Sequence, residues 1–237
     1  MIVLSVDSST EAASCAVMDE NRLLGEITFN YKKQHSVILM DIIHKLLTNV
    51  ALDINDIQGF VISMGPGSFT GLRIGLATVK GLAQGTGKPF VGVSTLDALA
   101  NNMAYTSGII CPILDALRGN VYTALYKFEG TNLVKIKDYM AISFEELIAI
   151  IKAEGVPATF IGDATNLYKD KIFENLPASK IAPVHLNLAR ASALGELGII
   201  ALNNGREDDV NTFAPLYLRK SQAEREYDKK VGNVSND

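Results

Sequence analysis

The chain has 237 residues, 48% of them hydrophobic, which is enough to pack a core as one large domain or two small lobes. A net charge of -4 and a pI of about 5.5 argue against a protein that grips nucleic acid by itself, because such proteins normally carry a basic surface. The two cysteines, Cys15 and Cys111, lie in apolar runs without metal or disulfide spacing, the pattern of buried free thiols in a reducing cytosol, and no apolar run reaches membrane length.

The opening MIVLSVDSST is apolar but short, with no basic leader and no cleavage pattern. It reads as a first strand, Ile2 to Val6, and not as a signal peptide. Ala12 to Met18 and Leu23 to Phe29 follow as strands, with the Asp19-Glu20-Asn21 turn between them. A helix is expected from His35 to Val50 and a strand from Ile57 to Ser63. Gly65-Pro66-Gly67 then breaks the chain before a helix from about Ser68 to Gln84, which Gly85, Gly87 and Pro89 terminate. A strand at Phe90 to Val93 and a helix at about Thr95 to Tyr105 complete a β-β-β-α-β-α-β-α series.

The second half repeats this order imperfectly. Ile109 to Leu114 is a strand ending near Asp115, as the first strand ends at Asp7. Asn120 to Phe128 and Leu133 to Tyr139 add two strands, with Gly130 at the turn. Ser143-Phe144-Glu145-Glu146 reads as a capping box opening a helix. Phe160-Ile161 runs into Gly162-Asp163, where the first half has Met64-Gly65-Pro66-Gly67. A helix from about Asn187 to Asn203 closes the repeat. Two facing β-β-β-α-β-α halves predict an α/β protein of the actin-like ATPase and sugar-kinase superfold, with mixed sheets. The expected lobes are 1–105, joined by the late helix at about 187–205, and 106–186, followed by a charged tail over 219–237.

The segment Gly65-Pro66-Gly67-Ser68-Phe69-Thr70-Gly71-Leu72-Arg73-Ile74-Gly75 carries the densest signal. A glycine turn that feeds a helix can bind an anion through free backbone N–H groups. It is neither a dinucleotide fingerprint, because its glycines are one residue too widely spaced, nor a P-loop, because no Gly-Lys-Ser/Thr follows. The plainer alternative is a tight turn with Ser68 or Thr70 capping the helix. Asp7-Ser8-Ser9-Thr10 stands where kinases of this superfold hold phosphate, but no glycine for close backbone approach occurs between Val6 and Leu24. A possible vestigial anion or nucleotide loop would therefore comprise Asp7, Ser8, Gly65, Gly67, Ser68 and Thr70.

His35 and His44 fall on opposite faces of one helix and His185 is isolated, so a shared metal is not expected. No Gly-x-Ser-x-Gly elbow is present. The first-lobe helices are unusually apolar. Ile38, Leu39, Met40, Ile42, Ile43, Leu46, Leu47 and Val50 span an arc of about 200°, against about 100° for an ordinary surface helix. On the next helix the long polar side chains Arg73, Lys80 and Gln84 share one stripe. Either both helices are buried inside a layered fold, or they present an apolar surface to another subunit. On the second reading the contact residues are Ile38, Ile42, Leu46, Gly71, Leu72, Gly75, Leu76 and Val79.

Five stretches together resemble the TsaB (YeaZ) family: Val6-Asp7-Ser8-Ser9-Thr10, Gln34-His35-Ser36, the Gly65 to Gly75 segment, Asp115-Ala116-Leu117-Arg118-Gly119-Asn120-Val121-Tyr122, and Pro215-Leu216-Tyr217-Leu218-Arg219. The resemblance runs to about residue 220, and Leu117 departs from it where the family often has a second basic residue. It implies a cytoplasmic, non-catalytic subunit with no cofactor, active in forming threonylcarbamoyladenosine on tRNA. The implied partners are TsaD, TsaE and a second copy of the chain, with tRNA met only through the complex. The enzyme alternatives are a small ATP-dependent kinase or a peptidase of the same superfold. The kinase lacks its glycine-bearing phosphate hairpin and a late Gly-Gly loop, and the peptidase lacks clustered ligands.

Overall fold

In a computed structural model of the protein, residues 1–30 and 35–219 are described, with the backbone alone for 35–37. The charged stretch after Arg219, Gln34 and the side chain of His35 lie outside the described residues. The first lobe runs β1 (Val3–Asp7), β2 (Ala13–Met18), β3 (Leu23–Phe29), α1 (His35–Asn49), β4 (Gly59–Gly65), α2 (Phe69–Thr86), β5 (Phe90–Ser94) and α3 (Thr95–Asn101). The second runs β6 (Ile109–Asp115), β7 (Asn120–Glu129), β8 (Asn132–Ser143), α4 (Phe144–Glu154), β9 (Ala158–Ile161), α5 (Thr165–Asn175) and β10 (Lys180–Ile181), before α6 (Ala191–Asn203).

The sheets have the same plan, β3-β2-β1-β4-β5 and β8-β7-β6-β9-β10. In each, an antiparallel meander is joined to parallel neighbours of its first strand. Strands β1 and β4 are covered on both faces, which explains their nearly unbroken apolar runs. On one face, Leu4, Val6, Cys15, Phe60 and Ile62 pack against α1 and α2; on the other, Val3, Val61, Val91 and Val93 pack against α6. The late helix thus returns to the first lobe. Burial of Cys15 and Cys111 pushes both thiols up to about 12, so neither is a ready nucleophile.

Helix α3 joins the lobes by packing on both sheets. Ala98 belongs to the core of the first, while Leu96, Leu99 and Met103 belong with Ile110, Leu114 and Tyr126 of the second. Its Asp97 carboxylate accepts hydrogen bonds from the Tyr126 hydroxyl at 2.6 Å and the Tyr139 hydroxyl at 2.8 Å. Burial and this carboxylate hold the Tyr126 phenol far above its usual range. The helix ends at Asn101, short of the expected Tyr105, because the chain turns at Asn102–Tyr105 with Tyr105 left-handed at φ 62°.

The apolar arcs of α1 and α2 have a different cause from the subunit contact expected of them. Ile42, Leu46, Leu72, Leu76 and Val79 are buried in the lobe's own core, Ile38 packs against it, and Gly71 and Gly75 are buried under the first hairpin. The two helices lie side by side on the sheet, so each is covered by the sheet and by its neighbour. Outward on α1 lie Met40, 52% exposed, and the polar Asp41, His44, Lys45 and Thr48; outward on α2 lie the small residues Ala77, Gly81 and Gly85 with Arg73 and Gln84. Helix α5 was not expected from sequence, because Thr165–Asn175 buries only Thr165, Tyr168 and Ile172 and has no side-chain cap.

These positions make a direct test. Ile42→Asp and Leu72→Asp put a carboxylate into a dry core at a cost of several kcal/mol, against a total stability of about 5–15 kcal/mol. Both should abolish cooperative urea unfolding monitored by circular dichroism, whereas Met40→Asp should leave the transition in place.

Candidate functional site

Strand β1 delivers Asp7 to the base of the β1–β2 hairpin, where it is fully buried. Its Oδ1 accepts from the Ser9 amide at 2.9 Å and from the Ser9 hydroxyl at 2.8 Å. The hairpin's polar groups are therefore turned back on Asp7. The Ser8 hydroxyl is likewise spent, donating to the Gly71 carbonyl at 2.8 Å.

The glycine segment explains this inward turn. Ser68 caps α2, its hydroxyl accepting from the Gly71 amide at 3.2 Å, while its own amide donates to the Ser9 carbonyl at 2.6 Å. The helix start lies almost in contact with the hairpin backbone. A Cβ on Gly67 would stand 2.2 Å from the Ser9 carbonyl oxygen, and one on Gly71 would stand 2.1 Å from that of Ser8. The glycines at these two positions make room for backbone of the same chain. Among the residues expected to form an anion loop, Asp7, Ser8 and Gly65 are buried, while Gly67, Ser68 and Thr70 border a cleft.

That cleft, of about 920 Å³, lies between the lobes. The first lobe contributes Ser9 to Ala12, Asn30 and Pro66 to Thr70; the second contributes Asp115, Ala116, Leu117, Tyr122 and Gly162, Asp163, Thr165 and Asn166. The segment Leu216 to Arg219 forms a further wall. Asp163 is the titratable centre. Its Oδ1 accepts from the Asp115 amide at 3.0 Å, but crowding by protein and the negative charges of Asp115 and Glu11 push its carboxyl up to about 6, while water still reaches it through the cleft. A cleft that collects Glu11, Asp115 and Asp163 favours cations or hydrogen-bond donors over phosphate.

Among the described residues no three His, Cys, Asp or Glu side chains gather closely enough to hold a metal ion. His44 and His185 are exposed and far apart in the chain. Among the same residues, no helix is long and apolar enough to cross a membrane. Reading the sequence gave Asp115 and Asp163 no role in a site. The signal was the internal repeat, which sets Asp115 against Asp7 and Gly162-Asp163 against the Gly65 turn.

Comparison with known proteins agrees with this architecture. A family model described as TsaD: tRNA N6-adenosine threonylcarbamoyltransferase matches residues 22–227. The tRNA threonylcarbamoyladenosine biosynthesis protein TsaB of Bacillus subtilis (strain 168) is 33% identical over 229 residues, 96% of this chain and 98% of that protein. An uncharacterized Pseudomonas aeruginosa protein with similarity to peptidase YEAZ superposes with a TM-score of 0.79 at 24% identity, covering 92% of this chain and 99% of that one. The activator of the 2-hydroxyisocaproyl-CoA dehydratase from Clostridium difficile, solved with bound ADPNP, gives 0.52 at 11% identity, covering 86% and 97%. The fold is that of the actin-like ATPase and sugar-kinase group, as the repeated strand order predicts.

Two substitutions probe the site. Gly71→Ala drives a methyl into the Ser8 backbone, and over-packing of this kind costs about 1–3 kcal/mol, so the urea midpoint should fall accordingly. Asp163→Asn tests the raised carboxyl. Because the folded chain binds this proton more tightly than the unfolded chain, stability falls as pH rises from near 4 through about 6, and the loss persists above. The Asn variant should melt higher than the parent at about pH 7.5 and not at about pH 3.5. Contact with water keeps the gain well below the ~1.4 kcal/mol per pKa unit of a fully sealed group.

Proposed function

The chain belongs to the TsaB (YeaZ) family, and on that footing we propose that it is a non-catalytic subunit in the biosynthesis of threonylcarbamoyladenosine on tRNA, pairing with TsaD and working with TsaE. The observation that carries this reading is the filled hairpin. Where a kinase of this fold would seat phosphate, Ser8 and Ser9 are bonded to Asp7 and to the start of α2, and the α2 backbone occupies the approach. The acidic cleft beside it disfavours a triphosphate for the same electrostatic reason. The dehydratase activator of related fold was solved with ADPNP, but its likeness at 11% identity extends to the fold alone. A peptidase reading, suggested by the name of the Pseudomonas structure's relative, finds no gathered ligand set among the described residues.

Partner contact is assigned to the outward side of the same two helices, on residues different from those the apolar pattern suggested. Gly81 and Gly85 sit within α2 with nothing inside 4 Å of where a Cβ would be. Glycine in a helix interior costs about 0.5–1 kcal/mol relative to alanine, and the lobe's own packing gives no reason for it. With Ala77 beside them and Met40 on α1, they form a surface that lets a neighbouring helix lie close. A surface of this kind serves both a second copy and TsaD, so the two compete. tRNA is met through the complex, in keeping with the net charge of -4.

The reading is tested by reconstitution. The purified chain should neither turn over ATP nor modify tRNA, and TsaD with TsaE should modify tRNA only when the chain is added. Sustained ATP hydrolysis by the chain alone would contradict it. The double variant Gly81→Ala, Gly85→Ala should gain up to about 1 kcal/mol per site in the isolated chain, while its co-elution with TsaD and its self-association both weaken. Stabilisation with undiminished association would remove the helix face from the interface.

A further inference from the structure

After α6 the chain turns back across the first lobe, over the edge of its sheet. The Asp208 amide donates to the Phe90 carbonyl at 2.9 Å, and the Asp208 carboxylate accepts from the Gly92 amide at 2.8 Å. The Phe213 ring then covers Gly92, where a Cβ would stand 2.2 Å from its edge. Lys80 of α2 donates to the Phe213 carbonyl at 2.8 Å, and the Leu216 amide donates to the Met64 carbonyl at 2.7 Å. Tyr217 lies 4.9 Å from the Phe69 ring, while Arg73, stacked on Phe69 at 3.9 Å, donates to the Tyr217 hydroxyl at 3.0 Å. The polar stripe of α2 is therefore the anchor of this segment.

The next contact is with the other lobe. The Arg219 guanidinium crosses the cleft mouth and donates to the Ala116 carbonyl at 2.8 Å, with the Leu117 carbonyl at 3.5 Å. The loop it reaches is unusual. Leu117 and Arg118 have φ of 63° and 58°, followed by Gly119 at 83°, a left-handed run that residues with side chains adopt rarely. Leu117 is also 59% exposed. A strained, exposed loop thus turns backbone carbonyls toward a cation carried by a segment rooted in the first lobe.

We propose that residues 206–219 form a strap whose Arg219 latches the second lobe to the first and sets the width of the cleft. The strap is fixed at its root by the half-buried Phe213 ring and several hydrogen bonds, and at its far side Arg219 holds the second lobe through guanidinium-to-carbonyl bonds at the cleft mouth. Such bonds break more easily than the root, so the latch releases without unfolding. Release withdraws the Arg219 guanidinium from the cleft mouth and frees the lobes to separate about α3, while Leu216 and Tyr217 stay on the first lobe.

Spin labels at Asn21→Cys and Thr131→Cys, in exposed turns of the first and second lobes, report the distance between lobes. The native Cys15 and Cys111 are buried and do not compete for label. With labelled chain diluted in unlabelled chain, the parent should give one narrow distance population. Arg219→Ala should add a second, longer population while thermal unfolding stays cooperative, and Arg219→Lys, which can still reach one carbonyl, should give less of it. An Arg219→Ala distribution identical to the parent's would overturn the proposal. So would loss of cooperative unfolding, since that would make Arg219 part of the core scaffold and not a latch.

Discussion

The contact between the start of α2 and the backbone of the β1–β2 hairpin is the constraint on which the rest of this molecule depends. Gly67 and Gly71 bring one backbone within a carbonyl's radius of another. The Ser68 amide meets the Ser9 carbonyl, and the Ser8 hydroxyl meets the Gly71 carbonyl. This junction fixes the position of α2, and α2 in turn carries the Phe69, Arg73 and Lys80 anchors of the C-terminal segment and the small outward residues assigned to a partner. It also satisfies within the chain the polar groups that a phosphate would otherwise meet. One local packing choice thus bears on the occupied phosphate position and on the face of α2 proposed for a partner.

The duplicated sheets give a second level to the account. Each lobe places an aspartate at the end of its first strand, but with different surroundings. Asp7 is sealed and serves the hairpin, whereas Asp115 borders the cleft, where its negative charge adds to desolvation in raising the Asp163 carboxyl to about 6. Among the described residues, contacts that hold the lobes relative to each other include the α3 joint with its Asp97–Tyr126–Tyr139 bonds and the Arg219 contact at the cleft mouth. A joint packed into the core and a latch at the cleft mouth differ in how readily they yield.

Much of this organisation is legible in the residues. Strand order, the repeat, the Ser68 cap and the buried thiols follow from period, turn chemistry and composition. The polar groups that settle the hairpin are less legible, because the chain neighbours Asp7 and Ser9 look equally suited to hold a phosphate or each other. The apolar arcs of α1 and α2 mislead for a definite reason. Width of an arc counts the faces that are covered, and a helix flanked by a sheet and another helix is covered twice without any partner. Gly81 and Gly85 invert this lesson, since their meaning lies in the empty space around them, which no periodicity displays. Helix α5 escaped because its amphipathic face is narrow and uncapped. The reach of Arg219 to Ala116 joins residues far apart in the chain; both lie in stretches that resemble the family, but nothing in either stretch shows that they meet.

The claim that the chain fills its own phosphate position is tested most directly by equilibrium titration of the isolated, full-length chain with ATP and ADP, with and without magnesium, by calorimetry. The account predicts no saturable binding at millimolar nucleotide. Saturable binding accompanied by loss of the Ser68–Ser9 junction, read as faster amide exchange at Ser68, would contradict it, because the hairpin would then open to a phosphate and the chain would retain the nucleotide site of its fold.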